Sequence, residues 1–366
     1  MATKPVDRKM LITIIALTFF GFVLFVSATF GLLARNSTSI QSIILNQFFF
    51  GIILGGIAAF VASRLSTIKL RRYSMLFFIL SFVMTLAVFI PGVGVTANGA
   101  TRWIHIGALS IQPSELLKIA YVLFYATWLV TYKKELRTWQ YGLLPYAVIT
   151  GMCGILLLQP DTDTFIIIAI SGFIMYFIAG MSWKHFGIIV LAGIIGLAGI
   201  VAVRPYIYQR IITFANPAAD SLNSGYQIQQ SLIAIGSGGI TGRGFGQSVQ
   251  KFNFLPEPTS DSIFSVAAEE FGFIGAVFII SLFSFLALRA AKIFTLTRDI
   301  YSQHLIVGII SVIIAQSFMN ISSMLGLFPL SGLPLLFVSH GGTALMMTLF
   351  ASGILLGISR NISQKA

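Results

Sequence analysis

Ten stretches of this chain are apolar for about the length of helix that a bilayer requires, roughly 20 residues each. They run approximately over 11–33, 43–63, 73–91, 114–132, 143–159, 163–180, 185–204, 262–287, 304–326 and 340–358. Lipid cannot satisfy exposed peptide groups, so a chain so patterned folds as a bundle of spanning helices. Composition agrees: 57% of residues are hydrophobic and 9% are charged, against about 25% charged in soluble domains. The expected fold is an all-α polytopic membrane protein with about ten transmembrane helices. The run at 143–159 is short and the junction at 159–163 is tight. The first run is too long for a signal peptide and is followed by no small-residue cleavage site. The lone Cys153 lies inside an apolar run, where it can form no intrachain disulfide. With no internal repeat, residues 1–366 read as a single membrane domain.

The net charge of +12 would suit nucleic acid, but its distribution excludes that. Sixteen basic residues, among them Lys4, Arg8, Lys9, Arg71, Arg72 and Lys365, fall on one alternate set of connections. Six, namely Arg35, Arg102, Arg204, Arg210, Arg243 and Lys251, fall on the other, and Lys118 lies within a run. The positive-inside rule places the first set, and with it both termini, in the cytoplasm. Anionic lipid then accounts for the charge, and no nucleic-acid partner is expected.

With that orientation the polar clusters gather on the outer side, at 92–113, 159–164, 205–261 and 327–343. The longest, a large extracytoplasmic loop at 205–261, ends at Asp261, just before an apolar run that contains the Glu269–Glu270 pair. Five of the eleven carboxylates (Asp220, Glu257, Asp261, Glu269 and Glu270) lie in or beside it. A carboxylate at the edge of hydrocarbon is costly and marks a functional candidate. For Asp261 two accounts stand: a catalytic group, or a first-turn carboxylate behind a Ser260 N-cap. Glu269 is about 12 Å further along a helix, too far to share a proton with Asp261, so it and Glu270 are expected to bind other helices or support the site from below. Glu115 and Lys118, three apart on one helix face, either pair and lock helices or line a polar cavity. Asp161 and Asp163 fit a solvated turn or, through carboxylate oxygens, a divalent ion. The glycine run 236–246 matches no phosphate-binding pattern and reads as a flexible re-entrant or interfacial loop. The four histidines show no zinc-ligand spacing.

The segments NGATRWI, IQPSELLK, QPDTDT, GYQIQQSLIAIGSGGITGRGFGQSVQKFNFLPEPTSDSIFSVAAEEFGFIG and GLFPLSGLPLLFVSHGG, in this order and spacing, resemble the SEDS family (shape, elongation, division and sporulation) over nearly the whole chain. GFGQSVQKFNFLPE is closer to the division branch than to the elongation branch. The resemblance implies a peptidoglycan glycosyltransferase that polymerises lipid II at the outer face of the bacterial cytoplasmic membrane during septal wall synthesis. The family's essential aspartate falls on Asp261, although Thr259-Ser260-Asp261-Ser262 replaces the usual His-Thr-Asp-Phe. The aspartate of Gln-Pro-Asp-Leu-Gly-Thr falls on Asp161, with Thr162-Asp163 in place of Leu-Gly. Trp103, Glu115 and Lys118 match the family pattern unchanged.

The implied reaction sets the roles. Asp261 would be the general base toward the acceptor sugar's hydroxyl, in an inverting transfer. Lys118, Arg102, Arg210, Arg243 and Lys251 are the candidates for the departing pyrophosphate, with Trp103 and Glu115 beside them in the substrate site. Asp161 is the candidate ligand of a divalent cation, Mg²⁺ or Mn²⁺. The implied partners are lipid II, undecaprenyl lipids, a class B penicillin-binding protein transpeptidase and other division proteins. A lipid II flippase or transporter, and a non-catalytic division scaffold, are the rival expectations.

Overall fold

The computed structural model describes residues 5–35, 40–97, 100–106, 109–217, 224–360 and 362. Lys4, Asp220 and Lys365 of the patterns above lie outside the described residues. The helices are α1 (Arg8–Thr29), α2 (Ile40–Arg64), α3 (Thr67–Ala87), α4 (Pro113–Thr131), α5 (Trp139–Leu158), α6 (Thr162–Ile178), α7 (Trp183–Val203), α8 (Pro205–Ala215), α9 (Ser224–Ser237), α10 (Ile263–Leu296), α11 (Ile300–Met324) and α12 (Gly342–Arg360). Each of the ten apolar runs forms a helix. Among the described residues, eight helices are long and apolar enough to cross a membrane. The other two runs are α6, with 17 residues, and α4, which carries Glu115 and Lys118.

Local chemistry fixes the helix starts. Asp7, Ser66, Ser182 and Asp299 accept from backbone amides of Met10, Lys69, His185 and Ser302 and so cap α1, α3, α7 and α11. Proline opens α4 and α8, where its missing N–H is not needed. α11 and α12 form the centre of the bundle and are buried along most of their length, whereas α7 buries only His185 and presents its apolar surface outward.

Two departures from the all-helical expectation shape the end of the bundle that carries Asp261. Three strands, β1 (Gly94–Ala97), β2 (Ala100–Ile106) and β3 (Leu109–Ile111), form an antiparallel sheet in order β1-β2-β3. Thr343 ties it to α12 by donating to the Ser110 carbonyl. The second departure is the segment 331–341, which is not a surface loop. Leu333, Leu335, Leu336, Phe337 and Val338 are all buried. A Cβ on Gly21 would stand 2.3 Å from the Phe337 carbonyl oxygen, so glycine is required there, about 12 Å inward from the end of α1. Non-helical backbone at such depth needs protein partners. Gln316 and Asn320, one turn apart on α11, supply them by donating to the Pro334 and Leu333 carbonyls.

The glycine run is likewise not a flexible loop. Gly272 interrupts α10 with φ 65° and ψ −162°, breaking the ladder between residues 269–270 and 273–274. The 239–244 backbone replaces all four partners. Arg243 and Gly244 amides donate to the Glu269 and Glu270 carbonyls, and Phe273 and Ile274 amides donate to the Gly239 and Ile240 carbonyls. Such close approach excludes side chains: a Cβ on Gly242 would lie 2.2 Å from the Glu270 carbonyl oxygen.

The side chains of Glu269 and Glu270 complete the splice. Glu269 accepts from Ser248 Oγ and from the Val249 and Gln250 amides, with Arg243 Nε 3.4 Å away. Glu270 accepts from Ser27 of α1 and from Lys251 at 2.7 Å. These carboxylates hold the loop to α10 and α1, in keeping with a supporting role.

Candidate active site

Asp261 sits at the end of a run of turns that leads into α10. The helix begins only at Ile263; its N-cap is Ser262, not Ser260, and makes no side-chain cap bond. Ser260 donates instead to Glu257. Asp261 therefore precedes the helix, and the capping account of it fails. Its backbone is held from several sides. Asn320 donates to the Asp261 carbonyl at 2.8 Å, Ser339 to the Ser260 carbonyl at 2.6 Å, and the His340 amide to the Thr259 carbonyl at 2.8 Å. Gln227 of α9 donates to Ser262 Oγ.

The Asp261 side chain is half-buried and faces a charged neighbourhood. Arg210 of α8 donates through Nη1 to Asp163 Oδ2 at 3.1 Å, and the Gly332 amide donates to the same oxygen at 3.2 Å. A Cβ on Gly332 would stand 3.8 Å from Asp261 Oδ2 and 3.9 Å from Arg210 Nη2. Asp163, Arg210 and Asp261 thus surround one glycine. Burial pushes the Asp261 carboxyl up to about 7, with the charges of Glu257 and Asp163 adding to the rise and Arg210 and Arg102 opposing it. A carboxylate poised near neutrality suits proton abstraction at physiological pH.

The other expected site residues divide. Arg102 of β2 is close enough to act on Asp261, and donates to the Gln159 and Pro160 carbonyls. Trp103 pairs with Val95 and, as the next residue on the strand, faces the opposite side of the sheet. Glu115 and Lys118 do not line an open cavity. Both are buried and paired at 2.8 Å, and Lys118 also donates to Gln316 Oε1. They anchor, through Gln316, the re-entrant segment beneath Asp261. Lys251 cannot serve pyrophosphate either: it is fully buried, and its three N–H groups are taken by Ser27, Gly246 and Glu270. Arg243, 42% exposed, is committed to Glu269 in the glycine splice.

Asp161 is buried, with one carboxylate oxygen lacking a hydrogen-bond partner. No group of three or more His, Cys, Asp or Glu side chains able to hold a metal occurs among the described residues. Asp163, the nearest carboxylate in sequence, is already neutralised by Arg210. This donor set does not fit a resident divalent cation, and no chemistry is assigned to one.

Asn320 gave no sign of a role in the sequence, Glu257, Gly332 and Ser339 stood there only within longer segments, and Asp163 read as part of a solvated turn or as a ligand of a divalent ion. Asp163 carried one signal, a charge where the resembled motif has glycine.

The FtsW/RodA/SpoVE model of cell cycle proteins matches residues 7–364. Stage V sporulation protein E of Bacillus subtilis is 41% identical over 308 residues, 84% of each chain. A probable peptidoglycan glycosyltransferase FtsW of Trichlorobacter lovleyi is 35% identical over 360 residues, 97% of this chain and 93% of that one. Among solved structures, a chain of a peptidoglycan synthase complex that coordinates polymerization and crosslinking superposes with a TM-score of 0.80 at 27% identity, covering 98% of this chain and 99% of that one. The rod shape determining protein RodA of Thermus thermophilus superposes with a TM-score of 0.72 at 26% identity and 98% coverage of each chain. Sequence and fold agree over nearly the whole length, and the chain belongs to the FtsW/RodA/SpoVE family of cell cycle proteins, the SEDS family that its motifs resemble.

Proposed function

We propose that this protein is a peptidoglycan glycosyltransferase that polymerises lipid II at the outer face of the cytoplasmic membrane. The observation that carries the proposal is Asp261, a half-buried carboxylate raised toward neutrality and flanked by Arg210 and Arg102, in a family whose relatives include chains named as peptidoglycan glycosyltransferases. Asp261 takes the proton of the acceptor sugar's 4-hydroxyl. That oxygen attacks the donor's anomeric carbon from the face opposite the leaving group, so the configuration inverts. The bond to undecaprenyl pyrophosphate breaks, its electron pair goes to the pyrophosphate oxygen, and the arginines offset the charge that develops there. The proton leaves Asp261 to solvent before the next addition.

The ten apolar runs and the bias of basic residues to one alternate set of connections support an outer position for this site. A lateral cavity of about 680 Å³, lined by apolar residues of α3, α5 and α7, reaches Thr162, Arg204 and Tyr206 at its outer end. Tyr206 bonds Thr162, the neighbour of Asp163, so a lipid tail in this cavity would end beside the site. Crosslinking chemistry would come from a class B penicillin-binding protein, with the septum as the place of action.

A flippase would need polar groups continued through the inner half of the bundle. The buried ion pairs, Glu115–Lys118 and Glu270–Lys251, serve the outer half alone. The deciding experiment supplies labelled lipid II to the purified chain in proteoliposomes, with and without its transpeptidase. The expected product is a ladder of glycan strands. Movement of lipid II across the bilayer with no polymer would replace this function by transport.

A further inference from the structure

We propose that Asp163 is a positioning residue for Asp261: it holds Arg210 and the Gly332 amide so that the guanidinium cannot close on the Asp261 carboxylate. This rests on Asp261 being the general base. Two carboxylates, on α6 and on the turn before α10, compete for one guanidinium from α8. Arg210 Nη1 is given to Asp163, which the Gly332 amide anchors through the same oxygen. Arg210 Nη2 borders the Gly332 gap that Asp261 Oδ2 also borders, 3.9 Å and 3.8 Å from the place of a Gly332 Cβ, so the guanidinium and the second carboxylate face one gap. All three side chains are partly shielded: Asp163 is 17% and Arg210 27% exposed, and Asp261 is half-buried. An arginine and a carboxylate so placed form a strong, charge-assisted pair, which would lower the basicity that the reaction needs. Asp163 prevents that pairing while leaving Nη2, which has no hydrogen-bond partner among the described residues, to meet the anionic leaving group.

The charged groups facing Asp261 are Glu257 of its own turn, Asp163 of α6, Arg210 of α8 and Arg102 of β2. Loss of Asp163 removes one negative neighbour and frees one positive neighbour. Both changes favour the ionised form of Asp261, so its protonation midpoint moves down.

The test is an infrared titration of the purified full-length protein, with the Asp261 carboxyl band assigned by its loss in Asp261→Asn. In Asp163→Asn the midpoint of that band should fall by about one to two pH units. In Asp163→Asn combined with Arg210→Gln it should return most of the way. Asp163→Ser, with a smaller polar side chain, should shift the band in the same direction. An unchanged midpoint in both Asp163 variants overturns the proposal, as does a fall that Arg210→Gln fails to reverse. No turnover enters this measurement, so its failure is distinct from failure of Asp261 as base, which shows only in the rate of polymerisation.

Discussion

Asp261→Asn leaves the protein folded and inserted but slows glycan polymerisation by about 10²–10⁴-fold, the usual loss when a general base is removed. The substitution keeps the shape of the side chain and touches none of the backbone bonds from Asn320, Ser339 and His340 that hold the turn. Stability should move the other way. The folded carboxyl sits at about 7 and its ordinary value is 3.8. Between those values the native state binds more protons than the unfolded state, so the contribution of Asp261 to stability is lost as pH rises through that window. At about pH 8 the wild-type carboxylate is ionised in both states and weighs against folding. Asparagine is free of that cost, so thermal unfolding in detergent should show the variant to be no less stable than the wild type. A variant that loses activity together with its fold would return Asp261 to a structural role.

Lys251→Met should be the most damaging substitution for the fold itself. Lys251 and Glu270 are both wholly buried and lie 2.7 Å apart. Removing the cation strands the Glu270 carboxylate with Ser27 as its remaining side-chain donor. Breaking a buried pair from one side costs about 3–5 kcal/mol, whereas replacing both partners by apolar groups is often neutral. Lys251→Met should therefore lower the unfolding midpoint strongly, and Lys251→Met with Glu270→Leu should recover most of it. Full stability of the single variant, with polymerisation lost, would instead restore Lys251 to the substrate site.

Much of the membrane part was legible because it is written in composition. Ten apolar runs announce their helices, whereas the caps were not read: Ser260 was weighed as an N-cap and is not one, and Ser66 and Asp299, which cap α3 and α11, were not singled out. Asp261 stood out because a carboxylate at a hydrocarbon edge demands a reason. The strands β1, β2 and β3 fall where the sequence was read only as a polar loop, 92–113. What could not be read is what depends on distant residues meeting. Nothing local tells that the backbone of 239–244 replaces the hydrogen bonds broken at Gly272, or that an apolar segment such as Leu333–Val338 turns inward without forming a helix. The basic residues show the same limit. Arg210, Lys251 and Lys118 are equivalent in sequence, yet Arg210 lies beside Asp261, Lys251 is sealed against Glu270, and Lys118 is spent on Glu115 and Gln316.

Loss of activity in a variant cannot by itself separate a base from a residue that merely orients the acceptor; the pH dependence of the wild-type reaction can. A base must be ionised to act, so its activity appears as pH rises through its pKa, opposite in sense to its effect on stability. The decisive measurement is the single-turnover rate of lipid II polymerisation in proteoliposomes across neutrality. The expected profile rises about tenfold per pH unit below the pKa of Asp261 and levels off above about 7. A rate that is flat across that range would contradict the assignment of Asp261 as the base.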